Sequence, residues 1–460
     1  MRATGQRHRV VPLAAVSLIA GLTSTAALAA GFRVGEESVS GLGNAYAGGA
    51  AIADDASTVH ANPAGMTRLG RNQVNGGAIL IHPDVDFDNG GAVLADGSPI
   101  SGNDGGQGGI PAAIPSLYGV WGYRGDLPYG LSDLKLGLGI TAPFGLKTDY
   151  DTPWVGRYNE VTTSLKTINI NPAAAVRVGN RLSLGLGLNV QRADAKLSQA
   201  IDFGTSCATL RGAADCLASF GLTPGASDGA GTIRGFDIAF GYNLGALYEF
   251  SPRTRAGLHF RSQVNYTFDL DAEFEVSNEA RAFLAAIGNP TGFTNTKAET
   301  EIAIPETVSA SLYHEVDDRL SLMVDVTWTH WSRFDELRVN FDDASTPANV
   351  ITASYNNVFR VGLGASYRIT PDLVLRAGVA FDESPLDAKF RSGAVPDADR
   401  RIVAVGLGYD LSDDIRFDVG YSHFFLDTGR TRAVSPTGSI LNGEFDIDVD
   451  NFGLGLTWKF

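Results

Sequence analysis

Residues 236–250 read FDIAFGYNLGALYEF. The even positions are Phe236, Ile238, Phe240, Tyr242, Leu244, Ala246, Tyr248 and Phe250, while the odd ones are mostly Asp, Ala, Gly and Asn until Leu247 and Glu249. Successive side chains of a strand point to opposite faces, so this is a strand with one large apolar face and one small or polar face. The pattern recurs at Leu182, Leu184, Leu186, Leu188 and Val190, and at Val361, Leu363, Ala365 and Tyr367. It appears again at Val403, Val405, Leu407 and Tyr409, and at Ile415, Phe417, Val419 and Tyr421.

A soluble β-sandwich would alternate in the same way, and the connections separate the two. Tight turns at Gly179-Asn180-Arg181, Ser251-Pro252-Arg253, Asp317-Asp318-Arg319, Thr370-Pro371-Asp372 and Ser412-Asp413-Asp414 alternate with long polar segments. Those segments are 82–113, 147–159, 202–235, 275–298, 333–356, 382–399 and 426–444; the first turn, around 125–133, is somewhat longer. Outer-membrane barrels are connected in this way, with short periplasmic turns and long external loops. The runs number about fourteen, an even count as single-chain bacterial barrels require. They start near Gln73, Ile114, Leu134, Val161, Leu182, Phe236, Arg255, Glu301, Leu320, Val358, Leu373, Ile402, Ile415 and Phe445. The fold class expected is therefore all-β, a transmembrane antiparallel barrel. Its last strand ends Phe452, Leu454, Leu456, Trp458, Phe460, and that aromatic terminus is the expected contact for the barrel assembly machinery.

Composition agrees. The chain has 460 residues with 55 Gly, 3 Met and 2 Cys. Mean hydropathy is zero, and no apolar run beyond the N-terminus is long enough for a membrane helix. That excludes a helical inner-membrane protein but not a barrel, whose alternating strands average out. Arg2, Arg7 and Arg9, an apolar run from Val10 to about Leu22, and Ala27-Leu28-Ala29 form a signal-peptide pattern over 1–29. Removing three arginines and no acids takes the net charge from −15 to −18 (33 minus 51), which argues against nucleic acid as a partner.

Between the signal and the first strand lies GFRVGEESVSGLGNAYAGGAAIADDASTVHANPAGMT, Gly31 to Thr67, rich in small residues and without period-2 alternation. It reads as a plug, a strap or a linker. An even strand count returns Phe460 to the same side of the membrane as this segment. The lumen-facing positions of the strands are largely Gly, Ala, Ser and Asn, which suits an occupied or narrow interior better than a wide ion channel. The division expected is 1–29 signal, 30–70 hatch and 71–460 barrel.

Two features carry mechanical content. Asn62-Pro63-Ala64-Gly65 is a turn module, since Pro fixes its own φ and Gly tolerates positive φ. The third strand runs Leu136-Gly137-Leu138-Gly139-Ile140-Thr141-Ala142-Pro143-Phe144-Gly145-Leu146, and Pro143, which lacks an N–H, must interrupt the ladder. Either the strand ends there or it kinks and opens the wall. Cys207 and Cys216, close together in an exported chain, are expected to form a local disulfide. Gly225-Ala226-Ser227-Asp228-Gly229 matches a nucleophile elbow, but it lies in a Gly-rich loop instead of a strand-to-helix turn. The seven histidines show no metal-ligand spacing, and Asp54-Asp55, Asp317-Asp318, Asp342-Asp343 and Asp413-Asp414 read as turn and cap chemistry. No enzyme activity, metal or cofactor is expected. The segment 84–109 reads as a mobile external loop.

These residues resemble the FadL/TodX (OmpP1) family of outer-membrane long-chain fatty acid and hydrocarbon transporters. The resemblance runs through Gly31-Phe32, Ser40-Gly41-Leu42-Gly43, Ala45-Tyr46-Ala47-Gly48, Ala51-Ile52-Ala53-Asp54-Asp55-Ala56 and Asn62-Pro63-Ala64. It continues through Phe144-Gly145-Leu146, Trp154-Val155-Gly156-Arg157-Tyr158, Arg261-Ser262, Pro305-Glu306 and Trp331-Ser332-Arg333-Phe334, and ends in Ala380-Phe381-Asp382-Glu383-Ser384-Pro385 and Pro396-Asp397-Ala398-Asp399-Arg400. It implies a fourteen-stranded barrel plugged by an N-terminal hatch. Loops would capture substrate, a pocket beside the hatch (Phe32, Asn62, Pro63, Ala64) would hold it, and a kink at Pro143, Phe144 and Gly145 would release it sideways. Arg338 is the implied carboxylate contact, and Gln199 stands where a second cation is expected, which favours a neutral hydrocarbon. Partners implied are long-chain fatty acids or other hydrophobic small molecules, outer-membrane lipid and lipopolysaccharide, with the protein a monomer. Rival readings are an aromatic or alkane channel of the same fold, an outer-membrane lipase and a general porin.

Overall fold

The computed structural model describes residues 31–123, 127–128 and 131–460. The expected export signal and part of the first turn lie outside them. Twenty strand segments join one sheet and form a closed antiparallel barrel of fourteen staves. In chain order these are β1 (Gln73–Asn89), β2 (Ala112–Gly122), β3 (Leu131–Thr141, then Gly145–Asp149), β4 (Thr162–Val178) and β5 (Leu182–Asp202). There follow β6 (Asp228–Ser251), β7 (Thr254–Arg261, then Val264–Glu275), β8 (Thr296–Ile304, then Thr307–Glu315) and β9 (Leu320–Thr329, then Glu336–Phe341). The ring is completed by β10 (Val358–Thr370), β11 (Leu373–Asp382), β12 (Arg400–Asp410), β13 (Ile415–Leu426, extended by Gly429–Val434) and β14 (Ile440–Lys459). A short external segment, Asn349–Thr352, pairs with the upper part of β9. Closure is by β1 on β14, in register from Gln73↔Lys459 to Asn89↔Gly443.

The exposure of β6 settles sandwich against barrel. Phe236, Ile238, Phe240, Tyr242 and Leu244 are the exposed side, while Ala239, Asn243 and Leu247 are buried. A sandwich buries its large apolar face, whereas a barrel turns it to lipid. No helix among the described residues is long and apolar enough to cross a membrane.

Several strands run further than expected. β1 continues to Asn89 with Val85 and Phe87 inward and Asp84, Asp86 and Asp88 outward, so the start of the expected 84–109 loop is strand. The staves project past the hydrocarbon band, where their outward face is charged and no apolar signal marks it. The expected loop 202–235 likewise holds α-helices at Phe203–Arg211 and Ala213–Phe220, the end of β5 and the first residues of β6. The two helices are joined by the Cys207–Cys216 disulfide.

The segment after Gly31 fills the lower lumen as a hatch of short turns: α1 (Val39–Leu42), α2 (Gly49–Ile52), α3 (Thr58–Ala61) and a 3₁₀ turn, Pro63–Arg68. Each is too short to hold itself in water, and the wall supplies the missing bonds. Arg255 Nε and Nη2 donate to Ala51 O (2.6 Å) and Ile52 O (2.5 Å), the orphan carbonyls of α2. Ser311 Oγ accepts from Ala50 N at 3.1 Å. Close approach explains the small inner face. A methyl group at Gly257 would overlap Ala50 O, and one at Gly378 would overlap Asn44 O.

Candidate functional site

The upper edge of the hatch meets the wall at a break. β3 leaves its ladder with β2 after Ile140, and the next bridge across that seam is Gly109↔Thr148. Within the break the hatch backbone takes the place of a strand. Val34 N donates to Pro143 O at 2.9 Å, Gly145 N donates to Phe32 O at 3.0 Å, and Arg33 forms an antiparallel bridge with Phe144. From β4, Thr167 Oγ1 accepts from Phe144 N (2.9 Å) and donates to Phe144 O (2.6 Å). The polar groups freed by the kink are therefore paired to the hatch on one side and to Thr167 on the other, as buried backbone requires.

Phe32 sits in an aromatic cluster. Its ring lies 6.2 Å from Phe144, 4.7 Å from Trp331 and 5.5 Å from Phe334, all edge-on, with Tyr355 behind Trp331 and Phe334. The start of the hatch is tethered by Asp397, whose Oδ2 accepts from Gly31 N at 3.0 Å and from Ser384 Oγ at 2.9 Å. Burial raises the Asp397 carboxyl above its ordinary range, and Arg400, 2.8 Å away, opposes that.

A cavity of about 160 Å³ runs between hatch and wall from Pro143, Phe144 and Trp331 down to Asp54 and Ser57. Charged and polar side chains stand among its apolar lining. Arg261 Nη2 lies 3.1 Å from His60 Nδ1, and His60 Nε2 lies 2.7 Å from Glu37 Oε1. Because Arg donates only, Nδ1 accepts and the proton sits on Nε2, so His60 is neutral. Its pKa is lowered by burial and then by Arg261, which agrees. Glu37 falls to about 2: burial works against ionisation, but the hydrogen bond from His60 Nε2 and the charges of Arg33 and Arg261 outweigh it. Its neighbour Glu36 is pushed up to about 7 by burial, only partly offset by Arg400, and its Oε2 has no hydrogen-bond partner.

The expected site residues separate into three places. Phe32, Pro143, Phe144 and Gly145 come together at the break. Asn62, Pro63 and Ala64 do not line the cavity. Asn62 Nδ2 donates to Ala50 O (2.6 Å) and Ala246 O (3.0 Å), and its Oδ1 accepts from Ala64 N (3.1 Å), so this turn is the footing of the hatch on β6. Arg338 points out of the barrel, exposed, with its guanidinium 2.8 Å from Glu336, while Leu337 and Val339 face the lumen. Ser227 of the elbow-like motif accepts from Thr223 N, and Asp228 holds Arg157 at 2.7 Å, which is loop structure.

Sequence reasoning passed over Thr167, the tethering part of Asp397, and Pro115. Pro115 lies in β2 beside the break, and a proline inside a strand run was the available signal. Thr167 had none.

A closed fourteen-stave barrel with a lipid-facing apolar exterior and a chain segment wedged in its lumen defines the class: a plugged outer-membrane transport barrel. The profile of the family described as outer membrane protein transport protein (OMPP1/FadL/TodX) matches residues 20–460, and the chain belongs to that family. It is 31% identical over 420 residues to a long-chain fatty acid transport protein of Escherichia coli O6:H1, covering 89% of this chain and 90% of that one. Its fold superposes on the crystal structure of a Pseudomonas aeruginosa FadL homologue with TM-score 0.84 and 25% identity, over 94% of this chain and 100% of that one. The Pseudomonas putida toluene transporter TodX shares the fold at TM-score 0.63 and 16% identity, over 94% and 100% of the two chains.

Proposed function

We propose that this protein carries long-chain fatty acids or similar hydrophobic compounds passively across the outer membrane. The observation that carries the reading is the broken β2–β3 seam, held shut by the hatch's own backbone at Phe32 and Val34. Cargo caught by the external loops would gather in the apolar upper lumen, displace Phe32 and leave between β2 and β3. Each buried CH₂ contributes about 0.8 kcal/mol, so a long chain strongly prefers passing from protein to bilayer over entering water. No chemistry is performed on the cargo. In this reading 1–29 is the export signal, 30–70 the hatch and 71–460 the barrel, a monomer among outer-membrane lipid and lipopolysaccharide, assembled through Phe460.

The alternative, uptake of a neutral aromatic or alkane, is favoured by the outward position of Arg338 and the neutral Gln199. Uptake of labelled oleate and of toluene, compared in cells lacking their own transporter, decides between them. Oleate uptake above the empty-vector level supports the main reading, toluene alone supports the alternative, and neither rejects both.

A further inference from the structure

The wall is discontinuous at a second seam, and the two breaks are built alike. Between β8 and β9 the lower ladder stops at Thr307↔Thr329, and the upper one resumes at Thr300↔Val339. Residues 301–306 thus lie opposite the longer stretch 330–338, whose excess is taken up by a 3₁₀ turn, Trp331–Arg333, with Trp331 folded into the lumen. Pro305 stands at the edge of this break, as Pro115 and Pro143 stand at the edges of the other. A proline has no N–H to offer a neighbouring strand, so these positions cannot donate to close the seam.

Each break sends one aromatic ring inward, Phe144 from the first and Trp331 from the second, and both pack on Phe32. The Trp331 Nε1 is fully buried without a hydrogen-bond partner, so no polar contact of the indole fixes it. On the outer side Glu306 spans the seam, 2.7 Å from His330 and 3.0 Å from Arg333, and its O accepts from His330 N at 3.1 Å. Arg333 is about half exposed, and such pairs hold weakly. The β8–β9 seam lies six staves beyond the β2–β3 seam in a ring of fourteen, almost across the barrel.

We infer that the β8–β9 seam is a second lateral passage for alkyl chains, released by the same displacement of Phe32 that frees the β2–β3 seam. Phe32 is then a bolt shared by two doors, and a chain beside it can reach the bilayer on either side without meeting water. The inference rests on the lateral-uptake reading above, and its test separates the two.

A photo-crosslinking residue is placed in the full-length protein at Ala303 beside the second seam, at Ala113 beside the first, and at Ala365 on the unbroken outer face of β10. Alkyne-tagged oleate is the probe. Capture at both Ala303 and Ala113 several-fold above Ala365, the bilayer background, is the expected result. Capture at Ala113 alone overturns the second passage, and capture at neither overturns lateral uptake itself. In cells, Gly145→Arg should keep part of the oleate uptake, and adding Ala303→Trp should remove most of the remainder, with folded barrels confirmed by heat-modifiable migration. Gly145→Arg alone falling to the level of the double variant would also overturn it.

Discussion

The lower lumen is lined by glycine where the hatch lies against it, as at Gly185, Gly245, Gly257, Gly378 and Gly406. The upper lumen is lined by Leu165, Tyr266, Phe268, Leu270, Leu337 and Val339. Both regions belong to one barrel and follow the same alternation, and β7 contributes to both, with Gly257 below and Tyr266, Phe268 and Leu270 above. In the lower one, the inward position is emptied so that hatch backbone can approach the wall and share hydrogen bonds with it. In the upper one, the inward position is large and apolar. The size of the inward residue therefore separates the two: peptide backbone packs against the wall below, and an apolar space lies above, matching the proposed cargo.

Removing the hatch breaks the comparison most severely. A barrel lacking Gly31–Ala53 retains every stave and the Asn62 footing, and it should fold with its lower lumen open. Conductance in planar bilayers should rise well above that of the intact protein. An unchanged conductance would mean that something other than the hatch closes the pore.

A single side chain can test the glycine face. Gly257→Leu would drive its Cβ into Ala50 O, a backbone atom that cannot rotate away. Overpacking of this kind costs about 1–3 kcal/mol or more, and the hatch is the part able to yield, since the barrel closes on itself. Partial undocking should appear as protease sensitivity within the hatch and as raised conductance. Phe268→Ala, in the upper lumen, should produce neither, because Phe268 belongs to the apolar upper lining.

The hatch also carries a charge that opposes its own docking. Glu36 is raised from 4.5 to about 7, with Arg400, Arg360, Glu37 and Tyr46 around it. An acid whose docked pKa is raised binds its proton more tightly when docked, so docking weakens as pH rises from 4.5 to about 7 and the penalty is complete above that. The shift corresponds to an order of 3 kcal/mol. Glu37, lowered to about 2, contributes in the opposite sense and stays ionised throughout that window. Glu36→Gln should therefore tighten the hatch at neutral pH and flatten the pH dependence of its protease resistance. An unchanged profile would show that Glu36 does not titrate in the docked state.

The sequence exposed these two regions unequally. The strand starts at Gln73, Leu182, Leu320, Val358, Leu373 and Ile415 agree with the structure because lipid-facing alternation is strongest in the membrane band. The interruption at Pro143 was legible because proline states its own backbone geometry. Where the freed groups of that interruption go was not, since pairing with Phe32, Val34 and Thr167 joins segments far apart in the chain. The upper ends of β1, β6 and β14 were read as loop, because outside the membrane a strand's outward face becomes as polar as a loop. The outward position of Arg338 was illegible for a related reason: a period-2 element puts neighbours on opposite faces, so a one-residue difference in alignment moves a side chain from lumen to exterior.

That last point gives the smallest expected effect. If Arg338 met the cargo, its loss would remove a charge-assisted contact of about 1.5–3 kcal/mol and lower oleate uptake by tenfold or more. In the structure its guanidinium pairs with Glu336 on an exposed outer face. Exposed pairs contribute about 0–1 kcal/mol, and none of this one bears on the lumen. Arg338→Gln should therefore leave oleate uptake at the wild-type rate. A tenfold loss would require the upper part of β9 to turn over by one residue, bringing Arg338 inward and both Leu337 and Val339 out to lipid, and would place a cation in a chamber otherwise lined by Tyr266, Phe268 and Leu270.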